Sequence, residues 1–120
     1  MKFNPDIKVY GDITFRDKKC PSESAEQITF FNQLRKNWPD IARLSTHVKN
    51  EGKKSPQQAL KDAREGLTQS FADIVIIGNP TATIELKRAD HTCSSWQKGQ
   101  QEFLIASKKA GAFSCVALGH

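Results

Sequence analysis

The stretch Phe71-Ala72-Asp73-Ile74-Val75-Ile76-Ile77-Gly78-Asn79-Pro80-Thr81-Ala82-Thr83-Ile84-Glu85-Leu86-Lys87 decides how this chain is read. Two apolar runs flank Gly78-Asn79-Pro80, a turn signal. With Asn79 at the turn centre, Asp73 and Glu85 lie six residues to either side and face each other across an antiparallel hairpin. Like charges directly opposite on one face destabilise a sheet. A chain that keeps them there is predicted to hold a cation between them. Strand side chains alternate, so Lys87 shares the face of Glu85.

Those three groups suit one kind of chemistry. Phosphodiester hydrolysis needs an in-line water, charge neutralisation at the phosphate and help for the leaving oxygen. A hard cation such as Mg²⁺ supplies most of this from carboxylate and carbonyl oxygens, keeping several of its waters. Asp73 and Glu85 are the predicted ligands, with the Leu86 backbone carbonyl at the same strand edge as a third. Lys87 is placed to orient or deprotonate the attacking water, or to stabilise growing negative charge. The plainer alternative is an exposed Glu85–Lys87 ion pair, with Asp73 merely marking a strand end. Three such groups in one register favour the metal site.

Working outward, residues 1–20 hold a short strand or hairpin around Gly11, where Ile7 and Val9 alternate with polar residues. Pro21-Ser22-Glu23-Ser24 opens a helix with Ser24 and Gln27 at capping-box spacing. Ile28, Phe31, Leu34 and Trp38 recur on one face, and Pro39 ends it. A strand is predicted at about 42–48, then a loop at 50–54. Ser55-Pro56 starts a helix that stops near Gly66. After the hairpin, a long helix is predicted over 94–109, closed by Gly111, and a strand over 113–118. Helix, strand, helix, two strands, helix, strand is an α/β order, and a mixed four-stranded sheet flanked by helices buries these faces.

With 120 residues, 38% hydrophobic and 26% charged, the chain is expected to form a single domain spanning 1–120. No apolar run approaches the roughly 20 residues of a membrane span, and the amino terminus has no signal-like stretch. Cys20, Cys93 and Cys115 make neither a CxxC pair nor a disulfide framework, which fits a reducing cytoplasm and argues against zinc. The net charge of +5 hints at an anionic partner. Lys49, Asn50, Lys53 and Lys54 surround Gly52, which permits close approach of the backbone to a phosphate. With His47 before them and Lys61 and Arg64 on the next helix, they form the predicted DNA-backbone surface, and Arg88 adds charge beyond the Glu85 strand. A merely solvated basic loop is the rival for that surface. Trp96 is read as half-buried packing rather than a base-stacking platform.

An Asp strand followed by Ile84-Glu85-Leu86-Lys87 resembles the motif of PD-(D/E)xK nucleases. The flanks resemble the VRR-NUC family, in particular its minimal stand-alone phage and bacterial members. They are an early helical Glu in Ser24-Ala25-Glu26-Gln27, the segment His47–Lys53, a basic helix ending in Gly66, and a Ser-rich turn. A helical Gln then follows, about eleven residues before Gly111. The similarity covers roughly residues 22–119. It implies a restriction-endonuclease-like core, with Asp73 and Glu85 binding Mg²⁺ or Mn²⁺ and Lys87 as the catalytic lysine. Glu26 would reach the metal through a bound water; a first-turn carboxylate favoured by the helix dipole is the competing reading. Gln100 is the first choice for the helical Gln and Gln97 the second, both expected on similar faces of one helix. The resemblance further implies cleavage of branched DNA, including four-way junctions, by a homodimer in the cytoplasm of a bacterial cell, from a bacterial or phage gene.

Two departures stand out: Ala72 replaces the motif's proline, and Gln69-Ser70-Phe71 replaces its small, Gly-containing turn. Neither removes a predicted ligand. The rival readings are a nucleic-acid-binding module that no longer cuts, which would have lost a ligand, and a hydrolase of small phosphate esters, which would need an enclosed apolar pocket.

Overall fold

The computed structural model describes residues 1–48 and 54–120. Its elements are β1 (Lys8–Tyr10), α1 (Glu23–Asn37), α2 (Pro39–Ala42), β2 (Ser45–His47), α3 (Pro56–Arg64), β3 (Ile74–Ile76), β4 (Ala82–Lys87), α4 (Gln100–Lys109) and β5 (Phe113–Leu118), with a 3₁₀ turn at His91–Cys93. The strands form one mixed sheet in the order β1-β5-β4-β3-β2. Pairing is parallel for β1–β5 and β4–β5, and antiparallel for β3–β4 and β2–β3. The parallel β4–β5 pair requires a crossover, and α4 supplies it.

The sheet has five strands, not four. The additional one is β1, the short strand expected before Gly11, which joins the sheet by pairing in parallel with Cys115–Ala117. Gly11 follows it at φ +119, where a Cβ would stand 2.8 Å from the Leu118 Cβ. Only glycine permits that close approach at that φ.

Other boundaries shift for local reasons. The α1 N-cap is Ser22, not Ser24: its Oγ accepts from the Ala25 N–H at 3.1 Å. Pro39 does end α1, but it also starts the single turn of α2. The segment 42–44 is therefore not strand, and β2 is only three residues long. Helix α4 begins at Gln100 rather than 94, because Gly99 is left-handed (φ 88) and the preceding chain is not helical. Gly99 also lies against the turn before β3: a Cβ there would meet the Ser70 Oγ at 2.6 Å. That Oγ donates to the Lys98 carbonyl at 2.6 Å. Ser70 is itself left-handed (φ 63), in the turn where the resembling motif usually places a Gly.

Two apolar layers enclose the sheet. On one face Ile7, Ala72, Val116 and Leu118 pack with Leu104 of α4. On the other, Ile74 and Leu86 pack with Phe31 and Leu34 of α1. Phe31 and Leu34 are thus the buried part of the face the sequence suggested, flanked by Phe30, while its outer members Ile28 and Trp38 are exposed. Leu86 is 2% exposed; truncating such a side chain to Ala costs about 2–5 kcal/mol. None of the residues of α3 is buried. Among the described residues, no helix is long and apolar enough to cross a membrane.

Candidate active site

The β3–β4 register pairs Ile74 with Ile84, Val75 with Thr83 and Ile76 with Ala82, centred on Asn79. Continued by one residue, it sets Asp73 opposite Glu85. The Asp73 Oδ2 accepts from the Leu86 N–H at 3.0 Å, which fixes the carboxylate at the β4 edge. On β4, Leu86 faces the α1 layer, so Glu85 and Lys87 point to the other face, toward the first turn of α4. The Lys87 carbonyl is taken by the Gly119 N–H on the β5 side. Alternation along the strand sends the Leu86 carbonyl the other way, beside Asp73.

Gln100 organises the charged pair. Its Nε2 donates to Glu85 Oε1 at 2.9 Å, and its Oε1 accepts from Lys87 Nζ at 3.0 Å. The Lys87 ammonium also donates to the Ser95 carbonyl at 2.8 Å and lies 5.4 Å from the centre of the Trp96 ring. Lys87 and Glu85 approach to 3.9 Å, both nearly fully buried. Gln97 is not on the helix: it lies before α4, exposed at the cavity lining, where its backbone N–H donates to Gln100 Oε1 and its carbonyl accepts from the Gln100 N–H.

Lys87 compensates the Glu85 charge only in part. Its other oxygen, Oε2, is buried with no hydrogen-bond partner among the described residues. Burial, the Asp73 charge beside it and direct contact with the Asp73 carboxylate push the Glu85 carboxyl up to about 9, against only partial relief from Lys87. Buried acceptors are almost always satisfied, so a carboxylate oxygen without a partner next to a second carboxylate fits a site that would hold a cation. The donor set is two carboxylates and a carbonyl, all hard oxygens, which fits Mg²⁺ or Mn²⁺ and not zinc. Among the described residues no three His, Cys, Asp or Glu side chains converge to hold an ion by themselves. Two carboxylates plus waters is the usual protein share for Mg²⁺.

These groups line a cavity of about 850 Å³. Glu23, and not Glu26, is the α1 carboxylate in it, and it is close enough to raise the Glu85 carboxyl further. Its carboxylate accepts from the Ser94 Oγ at 2.9 Å, and that Oγ accepts from the Arg88 N–H at 3.0 Å. Glu26 lies nearly one helical turn further on. Its carboxylate accepts from the His120 N–H at 2.6 Å and from its ring Nδ1 at 2.5 Å, beyond the end of β5. The sequence held the signal for Glu23, since both are first-turn acids, but not the helix rotation that separates them. Ser94, the Ser95 carbonyl and the Trp96 face were not readable as parts of the site.

The predicted DNA-contacting residues divide. Lys54 lines the cavity and is paired with Asp62 at 2.5 Å. Lys61 and Arg64 are exposed in the last turn of α3. His47 sits on the outer strand β2, its Nδ1 donating to the Asp73 carbonyl at 3.0 Å, and lines a separate groove against α1. Arg88 is not free for a phosphate, because its guanidinium donates to the carbonyls of Cys20 and Pro21. Lys49, Asn50 and Lys53 lie outside the described residues. Trp96 is part-buried, packed beside Phe3 with its Nε1 donating to the Lys2 carbonyl at 2.8 Å.

No protein-family model matches the sequence, and no curated protein does. A solved structure described as a VRR_NUC domain protein superposes with a TM-score of 0.68. It is 22% identical, and the match covers 84% of this chain and 80% of that one. The match extends over most of both chains, and the fold of this protein is that of the VRR-NUC family.

Proposed function

We propose that this protein is a Mg²⁺- or Mn²⁺-dependent DNA endonuclease. The observation that carries the reading is the orphaned Glu85 Oε2 beside the Asp73 carboxylate, with a buried ammonium 3.9 Å from the same Glu85 carboxylate. The VRR-NUC fold supports it. Asp73, Glu85 and the Leu86 carbonyl would hold the metal, and Glu23, on the α1 side of the cavity, would act on it through a bound water. Bound there, the metal supplies charge neutralisation at the phosphate and an acidified water.

The chain's own residues do the rest. Hydrolysis forms a phosphorus–oxygen bond from water and breaks one to a sugar oxygen, and negative charge grows on the phosphate in between. Lys87 already donates to the Ser95 carbonyl and Gln100 Oε1, so its ammonium is oriented before substrate arrives and stabilises that charge without reorganisation. Gln100 keeps Lys87 and Glu85 in register while preventing the ammonium from collapsing onto the carboxylate. Lys54, Lys61 and Arg64 offer charge to the DNA backbone. With no element suited to reading base edges, selectivity is for DNA structure. Branched DNA such as four-way junctions is the proposed substrate, and a symmetric homodimer the proposed assembly, because two-fold DNA suits two opposed sites.

The test is incubation of purified protein with labelled duplex, flap and four-way DNA, in Mg²⁺, in Mn²⁺ or in EDTA. Metal-dependent cutting, strongest on the four-way substrate, is expected. Absence of metal-dependent cutting on every DNA refutes the reading.

A further inference from the structure

The turn Asp17–Cys20 lies outside every group of residues considered so far, yet it is held unusually firmly for an exposed loop. At one end the Asp17 N–H donates to the Asp90 carboxylate at 2.9 Å, and Asp90 is 1% exposed. At the other end the Arg88 guanidinium donates to the carbonyls of Cys20 and Pro21. Within the turn the Cys20 N–H reaches the Asp17 carbonyl at 3.0 Å, and the Lys19 N–H reaches the Asp17 Oδ1 at 2.9 Å. Just upstream, the His91 Nε2 donates to the Ile13 carbonyl at 3.1 Å. A buried carboxylate, a guanidinium and an imidazole are thus committed to fixing this stretch of backbone.

The side chains it displays are Lys18 and Lys19. Both are exposed, and neither pairs with a carboxylate among the described residues. The turn is tied to the edge of the cavity through Arg88, whose own N–H donates to the Ser94 Oγ, and Ser94 lines the cavity with Glu23 and Cys93. Lys19 precedes Glu23 by four residues, so their Cα atoms lie within roughly 14 Å of each other. The α3 lobe, with Lys54, contributes a separate stretch of the same cavity lining. Phosphates advance about 3.4 Å per nucleotide along the axis of each strand, so cations on a turn tied to the cavity edge meet a strand a few nucleotides from the reacting phosphate. A rigid mount matters here, because ordering a flexible lysine loop on binding would offset much of the contact energy.

We propose that Lys18 and Lys19 form a second phosphate-gripping strip, which holds the DNA backbone beside the α1 bank of the cleft while the α3 lobe holds it at the other. The assignment rests on the endonuclease reading for its partner. It gives Arg88 and Asp90 a role as mounts of a binding surface and not as parts of the chemistry.

The experiment is fluorescence anisotropy of labelled duplex and four-way DNA in EDTA, over about 50 to about 300 mM salt. Each phosphate contact contributes about 0.9 to the slope of log affinity against log salt. The double variant Lys18→Ala/Lys19→Ala is expected to lower that slope by about two and to weaken binding at least about tenfold at low salt. Thermal stability should be unchanged, and Lys18→Arg/Lys19→Arg should restore both affinity and slope. Unchanged slope and affinity in the alanine double variant, with wild-type DNA binding intact, overturns the strip and leaves the endonuclease reading standing. Failure of the wild type to bind any DNA, with or without Mg²⁺, removes the endonuclease reading and the strip with it.

Discussion

Strand β4 and helix α3 both border the same cavity, and they are built in opposite ways. Of the six residues of β4, Thr83, Glu85, Leu86 and Lys87 are buried, and its hydrogen bonds run to β3 on one side and β5 on the other. Helix α3 buries none of its residues and shows Leu60 to solvent at 58% exposure. The difference matches what each must do. Groups that act on a bond must keep fixed distances, so they sit on the best-packed strand. Groups that follow a phosphate chain need reach and charge, which an exposed helix supplies.

The largest effects should come from β4 and its partner strand. Asp73→Asn and Lys87→Ala are each expected to lower the cleavage rate by at least about a hundredfold, the scale of removing one preorganised electrostatic group. DNA affinity measured in EDTA should stay within about twofold. A full rate in either variant breaks the contrast at its rigid end.

Helix α1 sharpens the comparison, because it carries one acid in the cavity and one outside it. Glu23→Gln should raise the Mg²⁺ concentration for half-maximal cutting by about tenfold or more, the usual scale for a partner of the metal's outer shell. Glu26→Gln should leave that concentration unchanged and instead lower Tm, because it disturbs the contact with His120. The reverse pattern would return the role to Glu26.

The metal-free protein offers a third test. Glu85 keeps its proton up to about 9 in the folded state, against 4.5 ordinarily, so between those values the folded protein binds more protons than the unfolded chain. Stability is therefore greatest below that window, falls as pH rises through it and levels off above it. In EDTA, Tm should drop by more than about 4 °C across the window, the shift that roughly 1 kcal/mol produces in a domain of this size. Glu85→Gln should remove most of the slope, and Mg²⁺ should oppose it in the wild type. An equally steep fall in Glu85→Gln would place its origin elsewhere.

The smallest effects belong to α3. Lys61→Ala should reduce the salt dependence of binding by about one contact, and Leu60→Ser should change stability by no more than about 0.5 kcal/mol. A larger loss of stability on altering Leu60 would show that α3 is packed against something in solution, and the contrast with β4 would then fail at its exposed end.

How much of this could be read from the chain depends on how locally each feature is determined. The hairpin register was legible, because turn chemistry and the two-residue period are written side by side in 71–87. The closeness of Asp73 and Glu85 followed from it. The bridging geometry of Gln100 was distinguishable from Gln97 only by its spacing to Gly111. What stayed hidden depended on distant partners. The short strand before Gly11 was expected, but its place as a fifth strand beside β5 was not. Arg88 looks like a surface cation until the carbonyls of Cys20 and Pro21 are brought to it. Glu23 and Glu26 are equivalent on paper, and the packing of Phe30, Phe31 and Leu34 on the sheet is what turns one toward the cavity of Asp73 and Glu85.

The contact between Gly99 and Ser70 works as a spacer gauge. Ser70 lies three residues before Asp73, and Gly99 immediately precedes Gln100, so one tight joint sets the gap between the loop that delivers the acid and the amide that keeps base and acid apart. Adding a single methyl group at 99 would open that gap without touching any reactive atom. A slow but well-folded Gly99→Ala protein would be the mark of misalignment rather than of a lost functional group.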